Sequence, residues 1–513
     1  MITIIHDFKK IIKISGNIQF AIDNLQDPSN ISQSLYFIAE KFPLETIIWC
    51  HEKVLNNIDY SFIENLFIHN RYFLSFNPIQ NYFSNEIGFV EDSPFIKVNK
   101  TVSYPTWQMS SFVGATKAST ILQIPKKEWF SHENFDFTLN SIAKSNLPYG
   151  LFCYSEPRLL LDTTCFYGKI ITPKASITQL FLFVASHYKW FWKHILIFNI
   201  LIYKIRFPFF SWLQSLFIRK KTYNKIGLKF SDIKNKSNVK VESIDVIIPT
   251  IGREKYICDV LFDLKKQSFL PKKVIVVEQN PHPNSTSGLG FIFDTAWPFE
   301  IDHTFTNQPG ACNARNIALS KVSSDWVFFA DDDIRIDSDF FTQAFYKMQN
   351  LNANAVIFSC LLKNEVNNFL LPQQTTIFGS GCSIVKSEFT SKILFDAKYE
   401  FCFGEDTDYG MKLRNLGTDV IYLPEPKILH LKAPVGGFRT KPTYLWTNDL
   451  VLPKPSPTIM LNYLRYFTTE QQNGYKTLYF IKTINWKKPF QSFKKINKHW
   501  KSSMFWANKL ENM

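Results

Sequence analysis

Several features are scarce in this sequence, and each shortage excludes a class of protein. The eight cysteines (Cys50, Cys153, Cys165, Cys258, Cys312, Cys360, Cys382 and Cys402) include no C-x-x-C pair, so the spacing of a structural zinc site is missing. Cysteines scattered over 513 residues are expected as buried thiols in a reducing compartment, not as a disulfide framework. No G-x-x-x-x-G-K-[ST] loop occurs, which counts against a P-loop enzyme. The opening MITIIHDFKK has no basic stretch followed by an apolar one, so no secretory signal is expected. Uninterrupted apolar runs of the ~20 residues that span a membrane are absent too. The nearest approach, residues 177–221, is broken by His187, Lys189, Lys193, His194, Asn199 and Lys204. There is no short-period repeat.

What is present suits a large globular chain. Hydrophobic residues make up 45% and charged residues 20%, which excludes a disordered polymer. A single core rarely grows beyond roughly 250–300 residues, so two or three cores are expected. The net charge of +14 fits an anionic membrane face or a phosphorylated substrate. A compositional bias toward Lys, Asn, Ile and Phe explains it equally well. The basic residues are spread out and form no RNA-reading motif, so nucleic acid is not expected as a partner.

Four zones follow from composition. Residues 1–170 read as an N-terminal α/β domain. Residues 171–240 read as a helical, aromatic and basic linker, in which Trp190, Trp192, Tyr203 and Trp212 sit among Lys and Arg. That mixture suits a helix lying at the headgroup level of an anionic membrane, or a linker resting its aromatics on its neighbours. Residues 241–450 alternate buried-strand and helical patterns. Residues 451–513 read as a helical basic tail.

The chemistry concentrates in the third zone. IDVIIPT (244–250) is a continuous apolar run closed by Pro249 and Thr250, as in a strand buried on both faces. A helical pattern and a second run, KKVIVVEQN, follow, so a parallel pair with a right-handed crossover is expected. Ligands in such sheets bind beyond the carboxyl ends of the strands, where Thr250, Arg253 and Glu278 fall. NQPGACNARN is a turn feeding a helix whose first amides and Arg315 would attract an anion, or else an ordinary helix cap with an exposed arginine. SDWVFFADDDIRID is a third buried strand, and it leaves the sheet through Asp331, Asp332 and Asp333. Asp331 and Asp333 point the same way if the chain stays extended. Together they suit a hard divalent cation completed by waters and phosphate oxygens, or else a solvated acidic turn. GSGCSIVKSEF is small enough for close approach of a ligand. Glu405 and Asp406 open an amphipathic helix, where carboxylates serve either as dipole partners or as a rigidly held base. His430 stands near a Gly-Gly pair.

In order and spacing these blocks, from IDVIIPTIGRE through FFADDDI and FGEDTDYGMKLRNLG to ILHLKAPVGGFR, resemble glycosyltransferase family 2 over about residues 244–440. The resemblance implies a metal-dependent, inverting nucleotide-sugar enzyme with a GT-A, Rossmann-like fold and a mixed, mostly parallel sheet. DDD stands where the family has Asp-x-Asp. Asp331 and Asp333, with His430, would hold Mg²⁺ or Mn²⁺. Pro249, Thr250, Arg253, Glu278, Arg315, Asp331 and Asp332 would contact the nucleotide sugar. Glu278 departs from the aspartate usual there. Asp406 matches the general base, with Glu405 beside it. The implied acceptor is a glycan or lipid-linked glycan of a surface polysaccharide, and the implied place is the cytoplasm, peripheral to the inner face of the plasma membrane. A nucleotidyl or phosphoryl transferase, and a non-catalytic glycan-binding scaffold, are the rival readings. In the first zone, the order of YPTWQMSSFVGATKAST and FDFTLNSIAKSNLPYGLFCY echoes that of the third. The expectation is a degenerate GT-A-like domain with Cys50, His51 and Glu52 at a strand end in place of an aspartate pair.

Overall fold

The computed structural model describes residues 1–16, 22–25, 27–130, 134–221, 242–433 and 443–513. The chain divides into two compact units. One comprises Met1–Ile233 and Tyr466–Thr483, the other Lys234–Arg465 and Ile484–Met513. Both are α/β, as the alternating patterns require.

The first unit is built on a seven-stranded mixed sheet of β1 (Ile2–His6), β2 (Ile11–Gly16), β3 (Thr46–His51), β4 (Tyr72–Phe76), β5 (Tyr104–Pro105), β6 (Val113–Lys117) and β7 (Phe152–Ser155). Their spatial order is β2-β1-β3-β6-β4-β7-β5. Strands β1, β3 and β4 are buried at every position, the pattern of strands covered on both faces. The helices Ile177–His187 and Trp192–Lys204 belong to this core. Phe183 stacks on Trp107 with ring centroids 5.1 Å apart. The segment read as a linker therefore builds part of the first unit's interior. Its residues 222–240 lie outside the described residues.

The segment read as one tail is divided as well. Helix Thr469–Thr483 belongs to the first unit. Gln471 donates through Nε2 to the carbonyls of Glu91 and Ser93 at 3.0 and 2.7 Å, and the Thr477 hydroxyl donates to Asn199 at 2.5 Å. Helices Pro457–Tyr466 and Pro489–Glu511 flank it in sequence.

The second unit carries a nine-stranded sheet: β8 (Ile244–Thr250), β9 (Lys273–Gln279), β10 (Glu300–Thr306), β11 (Trp326–Ala330), β12 (Ile334–Arg335), β13 (Ala355–Leu361), β14 (Gln373–Gln374), β15 (Cys382–Lys386) and β16 (Ile421–His430). The order is β10-β9-β8-β11-β15-β13-β16-β12, with β14 beside β16. The neighbours from β10 to β11 are parallel, and β15 turns the sheet antiparallel on both sides. The fully buried Asp245 carboxylate of β8 accepts from the amides of Ser323 and Ser324 at 2.7 and 3.0 Å. It thereby fixes the turn that launches β11.

The two sheets share a pairing plan. Neighbours β1-β3-β6-β4-β7-β5 are successively parallel, antiparallel, antiparallel, parallel and antiparallel. Neighbours β8-β11-β15-β13-β16-β12 show the same five senses in the same sequence. The register matches too. Thr46 of β3 faces Lys117, and Trp326 of β11 faces Lys386. Counting from those pairs sets His51, Glu52 and Lys53 where the second unit has Asp331, Asp332 and Asp333. Before the last long strand of each plan, a helix ends near a glycine with left-handed φ, Gly150 at 91° and Gly417 at 85°, the conformation glycine adopts without strain. Two differences stand out. The outer neighbour of β1 is the antiparallel β2, whereas β8 has the parallel β9. The short edge strand β12 precedes β13 in the chain, whereas β5 follows β4.

Gly114 of β6 lies under the Trp49 ring, and a Cβ there would stand 2.2 Å from the ring and 2.6 Å from the Leu74 carbonyl oxygen. Backbone cannot yield cheaply, so Gly114→Ala is expected to cost about 1–3 kcal/mol, read as a lower urea midpoint. Gly290→Ala, with nothing within 4 Å of the added carbon, is the matched control and should leave the midpoint unchanged.

Candidate functional site

The carboxyl ends of β8, β9 and β11 open onto a cavity of about 390 Å³ in the second unit, with Thr250, Arg253, Arg315, Asp331, Glu405 and His430 in its lining. The geometry follows from the sheet. Strand β11 is buried at all five positions, so its chain emerges from the interior directly into the three aspartates. Each then has a different environment.

Asp332 is buried and faces back toward β8. It accepts from the Thr250 hydroxyl at 2.7 Å and from Arg253 Nη1 at 2.5 Å. Burial pushes its carboxyl up to about 6, against the opposing pull of Arg253 and Thr250. Asp333 accepts from the Ala433 amide at 2.9 Å, lies 3.3 Å from Arg253 Nη1, and faces His430 Nε2 at 3.5 Å. The pairing of Ile334 with His430 in β12 and β16 sets that approach. Asp331 is the open member, its side chain 42% exposed, with Arg315 Nη2 at 3.3 Å. Gly381 permits this placement, since a Cβ there would overlap the Asp331 carboxylate at 2.1 Å.

Asp331, Asp333 and His430 offer oxygen and imidazole donors suited to a hard divalent cation. Among the described residues no group of three His, Cys, Asp or Glu side chains converges on one point. A cation held here by Asp331 and Asp333 would take most of its ligands from water and diphosphate oxygens.

Glu405 and Asp406 open the helix Glu405–Asn415, whose N-cap is Gly404 at φ 111°. Glu405 faces the cavity. Asp406 is half-buried, and its Oδ1 is fully buried without a hydrogen-bond partner. Burial raises its carboxyl above the ordinary aspartate range, opposed by Arg315 and by hydrogen bonds from Ser380, while Asp331 adds to the rise. Glu405 is likewise raised, by burial and by Asp406. Ser380 stands two residues before β15. The first unit repeats this contact. Asp136, also second in its helix, accepts from the Ser111 amide and hydroxyl at 2.8 and 2.6 Å, and Ser111 stands two residues before β6.

Two expected contacts are arranged differently. The Glu278 carboxylate turns to the loop that follows it and accepts from Ser287 Oγ, the Gly288 amide and His303 Nε2 at 2.5, 2.9 and 2.9 Å. Its neighbour Gln279 lines the cavity instead and accepts from the Gly310 amide at 2.6 Å. The helix that begins at Ala311 was expected to offer free amides to an anion. Glu400 takes those of Cys312 and Asn313 at 3.2 and 2.9 Å. Neither Glu400 nor Ser380 was singled out in the sequence, where each is one polar residue in a small-residue or aromatic stretch. The Gly-Gly pair, Gly436 and Gly437, lies outside the described residues.

Residues 245–407 match the family model described as glycosyl transferase family 2. This segment is a glycosyl transferase family 2 domain. Poly(ribitol-phosphate) beta-N-acetylglucosaminyltransferase TarS of Staphylococcus aureus, strains Mu50 and MW2, is similar at 31% identity over 96 residues, 18% of this chain and 17% of the relative. The match thus spans about a sixth of those curated relatives. Among solved structures, S. aureus TarS 1–349 in complex with UDP-GlcNAc aligns at TM-score 0.34 and 19% identity, covering 45% of this chain and 69% of that one. GalNAc-T7 with UDP, GalNAc and Mn²⁺ aligns at 0.32 and 11%, covering 37% and 44%.

The Arg253–Asp332 pair gives a pH-dependent prediction. Removing one partner of a buried ion pair costs about 3–5 kcal/mol, so Arg253→Leu should lower the unfolding free energy by that order near pH 8. Asp332 then carries its charge unpaired, with a folded-state value above the unfolded one of about 3.9. Stability is lost as pH rises through that window and regained as the carboxyl protonates below it. The loss measured at pH 5 should accordingly be smaller than at pH 8.

Proposed function

We propose that this chain transfers a sugar from a nucleoside-diphosphate sugar to the hydroxyl of a glycan or lipid-linked acceptor during synthesis of a surface polysaccharide, with inversion, on a GT-A fold. The observation that carries the reading is the placement of Asp331 and Asp333 at one strand end, in a cavity that Glu405, the residue before Asp406, also lines, in the segment that matches the family.

Each residue has a task in that reaction. Asp406 takes the proton of the acceptor hydroxyl as the acceptor oxygen bonds to the sugar C1 and the bond from C1 to the diphosphate oxygen breaks. Arg315, beside Asp331, offsets negative charge as the nucleoside diphosphate departs. Thr250, Arg253 and Asp332 shape the nucleotide side of the cavity. A divalent cation, held by Asp331 and Asp333 with His430 nearby, would supply charge neutralisation at the diphosphate. The eight cysteines are all free thiols, which suits a cytoplasmic place. We further propose that the first unit is a second GT-A-like domain lacking the metal carboxylates, supported by the shared pairing plan and by His51, Glu52 and Lys53 at the aspartate positions.

The test is a thermal-shift screen of UDP-, GDP- and dTDP-sugars with and without Mn²⁺, beginning with UDP-GlcNAc because the TarS relatives are N-acetylglucosaminyltransferases. A ligand of the native state raises its apparent stability. A metal-dependent shift lost in Asp333→Ala supports the reading, and release of pyrophosphate in place of a nucleoside diphosphate would assign nucleotidyl transfer instead. Asp406→Asn should keep donor binding and lose at least about a hundredfold in transfer; transfer at the wild-type rate would remove Asp406 from this role.

The pH profile is a further prediction. The base must be ionised and its carboxyl is raised, so transfer should fall on acidification at a pH above the ordinary aspartate value of about 3.9. Ser380 favours the ionised form, so Ser380→Ala should move that acid limb upward. An unmoved limb would leave Ser380 with a merely structural part.

A further inference from the structure

Between Asp162 and Asp232 the sequence contains no acidic residue. The described part of that stretch includes helices Trp192–Lys204 and Phe209–Leu216, each with one apolar side left outward. On the first, Phe198, Leu201 and Ile202 are exposed at a spacing of three to four residues, which makes one helical face, and Ile205 is exposed just past its end. On the second and just past its end, Phe210, Leu213 and Phe217 do the same, with Phe210 78% and Phe217 81% exposed. The opposite sides are fastened inward. Lys193 Nζ donates to the Ser215 carbonyl at 3.1 Å, Trp212 Nε1 to His194 Nδ1 at 3.2 Å, and the Thr178 and Ser211 hydroxyls meet at 2.8 Å. The aromatic face is thus held outward by a built helical layer.

Its charges are sorted. Lys204 pairs with Glu470 and Arg206 with Glu86. Lys189, Arg219 and Lys220 are exposed at the two ends of the same stretch. No described helix is long and apolar enough to cross a membrane. Rings and aliphatic side chains at the level of a basic rim suit the boundary of a bilayer with anionic headgroups. A second copy is a poorer fit, because a self-complementary contact would bring the exposed Lys189, Arg219 and Lys220 of both copies to one interface.

We propose that the outward faces of Trp192–Lys204 and Phe209–Leu216, with Lys189, Arg219 and Lys220, form a docking surface for an anionic lipid bilayer, on which the helices lie flat. The surface uses no residue of the cavity, so its success or failure is independent of the glycosyl-transfer reading.

The experiment is flotation of the full chain with vesicles of phosphatidylcholine plus phosphatidylglycerol, against phosphatidylcholine alone, at low and high salt. The wild type should float with the anionic vesicles only, and less at high salt. Phe210→Ser with Phe217→Ser, and separately Arg219→Glu with Lys220→Glu, should each weaken binding by about tenfold or more, with unchanged melting curves. Equal binding to both vesicle types, no binding to either, or full binding by both folded variants overturns the proposal. A concentration-dependent dimer in sedimentation velocity that both variants abolish would assign the face to a second copy, and overturns it equally.

Discussion

The second unit is organised around a desolvation problem. A strand buried at every position ends in three adjacent carboxylates, and charges leaving a core are costly unless each finds a partner. The sheet supplies the partners by its order. Because β8 lies beside β11, its carboxyl end delivers Thr250 and Arg253 to Asp332. Because β12 pairs with β16, the last residue of β16, His430, and the Ala433 amide beyond it come to Asp333. The helix that follows β10 brings Arg315 to Asp331. The middle carboxylate is consumed in holding the turn, Asp333 is equally buried among Arg253, His430 and the Ala433 amide, and Asp331 is left open to the cavity. A cluster that looks like excess charge in the sequence is thus two buried, partnered carboxylates beside one open one.

Much of this was legible before the structure. Apolar runs such as IDVIIPT and WVFFA have the length and composition of strands buried on both faces, and the rule that ligands gather at carboxyl ends then located Thr250, Arg253 and Asp331–Asp333 together. What escaped was decided by contacts distant in sequence. Glu278 sits at the strand end as expected, yet Ser287, Gly288 and His303 capture its carboxylate. Glu400 reaches the amides of Cys312 and Asn313 across 88 and 87 residues, and no local pattern announces that. The aromatic stretch after 177 was ambiguous because its two sides do different things. Leu180, Phe183 and Leu196 complete a core, while Phe210 and Phe217 face outward. Composition alone averages the two.

The shared pairing plan separates what the framework needs from what the chemistry needs. Both units keep a serine before the central antiparallel strand and an aspartate at the second position of a later helix, Phe135–Asn146 in the first and Glu405–Asn415 in the second. In the first unit that aspartate, Asp136, is buried and receives both the amide and the hydroxyl of Ser111, with histidine, glutamate and lysine where the second unit has Asp331, Asp332 and Asp333. The contact is therefore compatible with either strand end, and its common part is to pin the loop before the strand to the helix start. The difference lies one strand away. In the first unit His51 stacks on Phe8 at 4.3 Å, and its Nδ1 accepts from the Lys53 amide at 3.2 Å, so that strand end closes on its own turn. In the second unit the equivalent position is Asp331, beside Gly381 and open to the cavity. A pinned carboxylate becomes a candidate base only where the neighbouring strand end stays open, and on this plan that opening depends on which side chain follows the last buried residue of the strand.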